Sequence, residues 1–144
     1  VYCERYLYAQ SPEMDHFASK GHHPRFSFNP VNIFYACRFC NSPDRKGQDD
    51  TILIVNNRYD QCMFSILHPY FDDIDQEIYY QDNYKVLFDW DRCTQPGKDT
   101  IVFLSHDDEF MTAVRSRDLI FQRLNPLTTL EENLLIERSI AYNY

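Results

Sequence analysis

Short runs of strand-forming residues, separated by turn formers, fill most of the chain, and helical patterning appears only towards the carboxyl terminus. Arg5 to Tyr8 predicts a short aromatic strand, Ser11-Pro12 a turn, and Glu13 to Phe17 a second strand. Ala18 to Pro30 contains Gly21, Pro24 and Pro30 without clean periodicity and predicts a loop. Ile33 to Ala36 is an apolar run that fits a buried strand or a short helix.

Further along, Thr51 to Val55, Gln76 to Tyr80, Tyr84 to Phe88 and Thr100 to Leu104 have strand composition, with Gln81, Asp82 and Asn83 as a hairpin turn. Asp107 or Asp108 opens a helix reaching Leu124, stopped by Asn125-Pro126. Thr129 with Glu132 forms a capping box before a last helix from about Leu130 to Ala141. Together these elements imply an α+β fold.

Composition narrows the chemistry. With 144 residues the chain fits one domain, and 16% aromatics, including 11 Tyr and 11 Phe, supply a core and argue against disorder. Three Gly and no G-x-G-x-x-G or Walker motif argue against nucleotide binding by this chain alone. The formal net charge of -8 is unfavourable for a surface that must hold a phosphate backbone. It is unevenly spread: Lys20, Arg25, Arg38, Arg45 and Lys46, with His22 and His23, face only Asp44 between positions 20 and 46. Most of the acidity lies in residues 49 to 109, so a partner would supply much of any grip on DNA; a solvated acidic surface that meets no DNA is the bland alternative.

Five cysteines, an odd number, and no apolar run of membrane-spanning length suit a reduced cytoplasmic setting with metal-bound thiolates better than a disulfide framework. Cys37 and Cys40 form a C-x-x-C knuckle, and Cys3 is the visible half of another. A cysteine immediately before Val1 would complete it, so the expectation is that Val1 lies inside a knuckle of a longer protein. Otherwise a histidine, another cysteine or water is the fourth ligand. Cys62 and Cys93 are isolated.

The chemistry-bearing residues concentrate between Glu13 and Lys46. Asp15 and His16 are adjacent, Asn32 follows, and Asn41 comes directly after Cys40. Neighbouring strand residues point to opposite faces, so Asp15 and His16 can serve one site only at a strand end. This order resembles the HNH endonucleases of ββα-metal fold, in the variant whose last histidine is asparagine. The fuller runs Y-C-E-R, D-H-F-A-S-K and N-I-F-Y-A-C-R-F-C-N-S-P-D-R-K-G are most similar to the HNH proteins of the Septu and retron antiphage systems. The resemblance covers roughly residues 2 to 47, with His68 to Asp73 as a looser echo.

The resemblance implies an HNH core at 1–47, stapled by structural Zn²⁺ at Cys3, Cys37 and Cys40, and an α+β extension at 48–144 that binds a partner. It implies His16 as general base, oriented through a loop that Asn32 constrains, and Asp15 with Asn41 holding Mg²⁺ or Mn²⁺ on a short helix starting within Arg38 to Lys46. Asparagine at position 41 favours these oxygen-preferring cations over softer ones. The substrate would be nucleic acid, DNA above all, and an ATPase partner would regulate cleavage in a defence complex. His22, His23, Arg25, Arg38, Arg45 and Lys46 are candidate phosphate contacts, each with a plain solvated role as the alternative. His68, in H-P-Y-F-D-D, is a candidate accessory ligand or cleft residue, set against a satisfied turn. The competing function is a zinc-stapled module that binds protein or DNA and does not cut.

Overall fold

The computed structural model describes residues 12–81 and 85–124, and within them the chain is a small mixed α+β fold. Strands β1 (Pro12–His16) and β2 (Ile33–Cys37) form one antiparallel pair; β3 (Ile52–Ile54) and β4 (Met63–Phe64) form another. Helices α1 (Ile74–Glu77), α2 (Gln95–Phe103) and α3 (Glu109–Leu124) follow. None of the described helices is long and apolar enough to cross a membrane. The Arg5–Tyr8 strand, Cys3 and the last helix expected near Leu130–Ala141 lie outside the described residues.

The register of the first sheet sorts its side chains. Glu13 faces Ala36 and Asp15 faces Phe34 on the buried side, while Met14 and Tyr35 pair on the exposed side. Beneath it, Phe17 packs edge-on against Phe34 and Phe64, with Ile66 and Phe103 closing the cluster. A second cluster, Ala18, Phe26, Ile52 and Tyr59, joins the β1–β2 loop to the β3–β4 hairpin. Thr51 Oγ1 donates to Phe17 O at 2.7 Å, which fixes the second hairpin to the end of the first.

Three expected elements differ outright, and of the strand expected at Tyr84 to Phe88 the described part, Lys85 to Phe88, keeps only a single bridge at Phe88. Thr100 to Leu104, read as a strand from its β-branched residues, belongs to α2: Thr94 Oγ1 accepts from Gly97 N at 3.2 Å and Pro96 stands in the first turn, so cap and burial of Ile101 outweigh weak β preference. Gln76 to Tyr80 splits, its start ending the one-turn α1 and Tyr80 forming a single antiparallel bridge to Phe88. Gln81 N donates to Leu87 O at 2.9 Å, as a chain reversal requires, though residues 82–84 lie outside the description.

Arg38 to Lys46, where a short helix was expected, runs instead as consecutive turns. Asn41 N reaches Cys37 O at 3.1 Å, but Pro43 has no N–H to extend that turn, and Gly47 (φ +48°) closes the segment in the left-handed region. The helix from Asp108 onward is as expected, Asp108 Oδ1 accepting from Met111 N at 2.7 Å.

Close approach of α1 to α2 makes Gly97 a sensitive position, because an added Cβ would stand 2.2 Å from Glu77 O. Glycine-to-alanine changes in helices ordinarily gain up to about 1 kcal/mol, whereas forcing a methyl against backbone costs about 1–3 kcal/mol. Gly97→Ala should therefore lose about 1–2 kcal/mol in urea denaturation, while Gly21→Ala, whose Cβ meets nothing nearer than 3.5 Å, should be neutral within about 0.5 kcal/mol. Equal stability of Gly97→Ala and wild type would mean that α1 and α2 do not keep this approach.

Candidate functional site

Asn32 is wholly buried, and its amide is used in both senses. Oδ1 accepts from Ala18 N at 2.7 Å and from the Tyr59 hydroxyl at 2.8 Å; Nδ2 donates to Ala18 O and Phe26 O, both at 3.1 Å. These bonds hold the β1–β2 loop at two points along its length. The residue after Phe26 is Ser27, whose carbonyl lies 3.0 Å from His16 Nε2. A carbonyl can only accept, so Nε2 carries a proton and donates it to Ser27 O. Asn32 bonds Ala18 and Phe26, both of the β1–β2 loop. The hydrogen bond that sets His16 comes from the loop backbone.

Behind Asn32 the relay continues into the core. His68, fully buried among Phe17, Phe34, Phe64, Tyr70 and Phe71, has Nε2 3.1 Å from the Tyr59 hydroxyl and accepts from Tyr70 N through Nδ1 at 3.2 Å. Since the Tyr59 hydroxyl donates to Asn32, it accepts from His68. Both ring nitrogens of His68 are engaged within the fold, so it sits as a support for Asn32 and not as an accessory metal ligand. The turn reading of His68 to Asp73 is also met: His68 O accepts from Phe71 N and Asp72 N. Burial pushes the His68 pKa down to about 4 and raises that of the Tyr59 hydroxyl.

On the face of β1 opposite the His16 ring, Asp15 is buried and accepts from Lys46 Nζ at 3.2 Å; the same ammonium donates to His16 O at 2.8 Å. Lys46 is 1% exposed, so its expected contact with a phosphate is corrected: the ammonium turns inward because Asp15 and the end of β1 offer it acceptors. Asn41 donates through Nδ2 to Glu13 Oε2 at 3.0 Å. Glu13, two residues before Asp15 on the same strand face, thus joins the cluster, and the period of β1 was the signal that could have named it. Asp15 and Asn41 both border this face, while the His16 ring turns to the other, towards Ser27.

The remaining basic candidates separate. His23 pairs with Asp50 at 2.8 Å, and Asp50, whose burial is outweighed by hydrogen bonds from Ile52 N and His23, is lowered below the usual carboxylate range. Arg25 lies over Phe26 and donates to Asn56 O at 2.5 Å. Arg45 stacks on Phe39 and is bound to Leu104 O, Ser105 O and Asp108, which ties the turn after Cys40 to the α2–α3 corner. His22 and Arg38 are exposed, and Arg38 borders an open groove of about 760 Å³ beside Phe39 and Phe110.

Cys37 and Cys40 are buried at the end of β2, with Cys40 N donating to Cys37 Sγ at 3.4 Å. His106, from the α2–α3 corner, has Nε2 3.8 Å from Cys40 Sγ, a neighbour that no sequence spacing announces. Burial first, then Arg115 and Arg45, push its pKa down to about 4 against the opposing pull of Cys37 and Asp108. Among the described residues, no group of three or more His, Cys, Asp or Glu side chains is already gathered to hold a metal ion.

Over 75 residues, 52% of the chain, the sequence is 32% identical to Protein ea31 of Escherichia phage lambda, and the match spans 21% of that protein. The chain thus covers about a fifth of the relative's length, and the relative's name specifies no activity. No family model and no solved structure matches the sequence.

Two buried histidines that are neutral when folded but bind a proton near pH 6.5 when unfolded make stability acid-sensitive. Their contribution is complete above about pH 6.5 and is lost as the pH falls through about 4, with a slope of up to about 1.4 kcal/mol per pH unit for each. Urea midpoints between pH 7 and 4.5 should fall accordingly, and His68→Gln, which cannot titrate, should show a shallower decline. An unchanged slope in that variant would mean that His68 takes its proton in the folded state at its ordinary pKa.

Proposed function

We propose that the chain is a metal-dependent endonuclease of HNH type, hydrolysing phosphodiester bonds of DNA in a cytoplasmic antiphage complex with an ATPase partner. On this proposal 1–47 is a ββα-metal core stapled by zinc, and 48–144 is an extension that packs on it and meets the partner. The observation that carries it is the arrangement at His16: an imidazole at a strand end, with Nε2 against the Ser27 carbonyl of a loop pinned by a buried asparagine.

The donor chemistry fits a hard cation. Asp15, Asn41 and Glu13 offer oxygen atoms, the set that suits Mg²⁺ or Mn²⁺, and the Lys46 ammonium bonded to Asp15 would have to give way to the ion. Asp15 and Asn41 would hold the ion, which supplies charge stabilisation to the phosphate and the departing oxygen. His16 Nδ1 takes a proton from the attacking water as its oxygen bonds to phosphorus. The P–O3′ bond breaks, and the leaving oxygen takes up a proton, giving 5′ phosphate and 3′ hydroxyl ends. Cys3, Cys37 and Cys40 serve the structural zinc, whose soft thiolate donors suit it. The chain's net charge of -8 leaves much of the DNA grip to the partner.

A zinc-stapled interaction module that does not cut is the second reading, favoured by the engagement of Asp15 with Lys46 and of Asn41 with Glu13, and by the His16 ring lying on the face of β1 away from both. Plasmid and single-stranded DNA, incubated with Mg²⁺ or Mn²⁺ and the partner ATPase, separate the two. The expected result is cleavage by wild type and a loss of about 10²- to 10⁴-fold in His16→Ala with an unchanged circular dichroism spectrum. Cleavage by His16→Ala at the wild-type rate, or binding without nicking by wild type, overturns the nuclease proposal.

A further inference from the structure

We infer that Phe28 is the residue on which the DNA substrate rests an unpaired base, with a neighbouring phosphate held in the groove at Arg25. The inference rests on the DNA substrate of the proposed function and adds a contact beside His16. It does not require that the bound strand is cut.

Exposure is the first observation. Phe28 is 92% exposed, more than any other large apolar side chain among the described residues, whereas Phe26, two positions earlier, is 4% exposed in the core. A ring with so little contact contributes little to folding. Single exposed apolar residues are ordinary on protein surfaces, so exposure alone assigns no role. Position does. The carbonyl that accepts from His16 Nε2 at 3.0 Å is that of Ser27, and its peptide group leads directly into Phe28. The aromatic ring thus stands one residue from the hydrogen-bond partner of the histidine.

The loop presents this ring in a set geometry. Ser27 N donates to Pro24 O at 3.2 Å, Asn29 N to Phe26 O at 3.0 Å and Val31 N to Asn29 Oδ1 at 3.2 Å, while buried Asn32 bonds Phe26 O. A platform already ordered before binding loses little conformational entropy when a base settles on it.

Charge selects the occupant. Between Asp15 and Asp44 the sequence has no acidic residue, in a chain of formal net charge -8. Lys20, His22 and Arg25 are exposed on the loop that carries Phe28, and Asp50, which reaches this loop, is paired with His23. Arg25 bonds Asn56 O and Asn57 Oδ1, both uncharged, so its positive charge is not cancelled there. With Asn29 it lines an open groove of about 520 Å³ that Phe71 and Arg58, itself paired to Asp60, also border. Cations beside an exposed ring are the means by which single strands are held, phosphate on the charge and base on the ring. A duplex keeps its bases stacked on one another, so the base free to use Phe28 is an unpaired one.

The test is the affinity of the full chain for a single-stranded oligonucleotide carrying a fluorescent adenine analogue whose emission stacking quenches. Low salt and the absence of Mg²⁺ and Mn²⁺ separate binding from cutting. Wild type should bind, quench the analogue and hold the matching duplex more weakly. Phe28→Ala should bind about tenfold more weakly without the quench, its circular dichroism spectrum unchanged. Phe28→Trp should restore both, and Phe28→Leu, apolar but without a ring, should not restore the quench. Arg25→Ala should lower the salt dependence by about one phosphate contact, which Phe28→Ala should leave as it is. Wild-type affinity and quench in Phe28→Ala would overturn the inference; loss of capture by the ATPase partner in that variant would then place the ring in a protein interface. Equal salt slopes for wild type and Arg25→Ala would overturn the phosphate contact. Failure of wild type to bind DNA would overturn the inference together with the DNA substrate of the proposed function. Binding with the quench, but no cleavage once metal and partner are added, would support Phe28 and overturn the nuclease reading alone.

Discussion

A single buried amide organises the first half of this molecule. Asn32 has no access to water, so each of its polar atoms must find a partner inside or cost about 1–3 kcal/mol, and each partner it finds is a piece of backbone or a side chain that becomes fixed in turn. Ala18 and Phe26 are held from one side, Tyr59 and then His68 from the other. A loop of low intrinsic order thereby acquires one shape, and the Ser27 carbonyl that faces His16 is a consequence of that shape.

Buried charge imposes the second constraint. Lys46 and Asp15 lie together in the interior, an arrangement in which loss of either partner typically costs about 3–5 kcal/mol because the other is left unpaired. The lysine also bonds the His16 carbonyl, so the segment after Asn41 and the end of β1 are drawn together across some thirty residues of chain. Arg45, one position earlier, reaches the opposite way to the α2–α3 corner. Adjacent cations thus clamp the turn of Cys37 to Gly47 between the first sheet and the helices. This gives an irregular, proline-containing segment a definite position without regular secondary structure.

Much of the local structure was legible. The strand ending at His16, the strand before Cys37, the loop between them and the helix beginning after Asp108 all follow from alternation, proline and glycine placement and a capping carboxylate. The misread elements have a common cause. Thr100 to Leu104 looks like a strand residue by residue, but Thr94 and Pro96 upstream start a helix whose burial of Ile101 prevails. The turn at Arg38 to Lys46 falls short of a helix because Pro43 interrupts it and tertiary bonds to Arg45 and Lys46 satisfy it otherwise.

The amino-acid order by itself determined which groups were on hand: an acid beside a histidine at the end of a strand, an asparagine to pin a loop, and two thiols one turn apart. Only the tertiary structure decided which of them meet. Lys46 turned inward where an exposed cation was expected, Glu13 joined Asn41, His68 became a support for Asn32, and His106 arrived beside Cys40 from 66 residues away. Local spacing records the periodicity of one strand or turn and nothing about what another segment will pack against. Pairings at such separations arise when buried polar atoms must be satisfied in a shared interior, and that condition belongs to the folded chain as a whole.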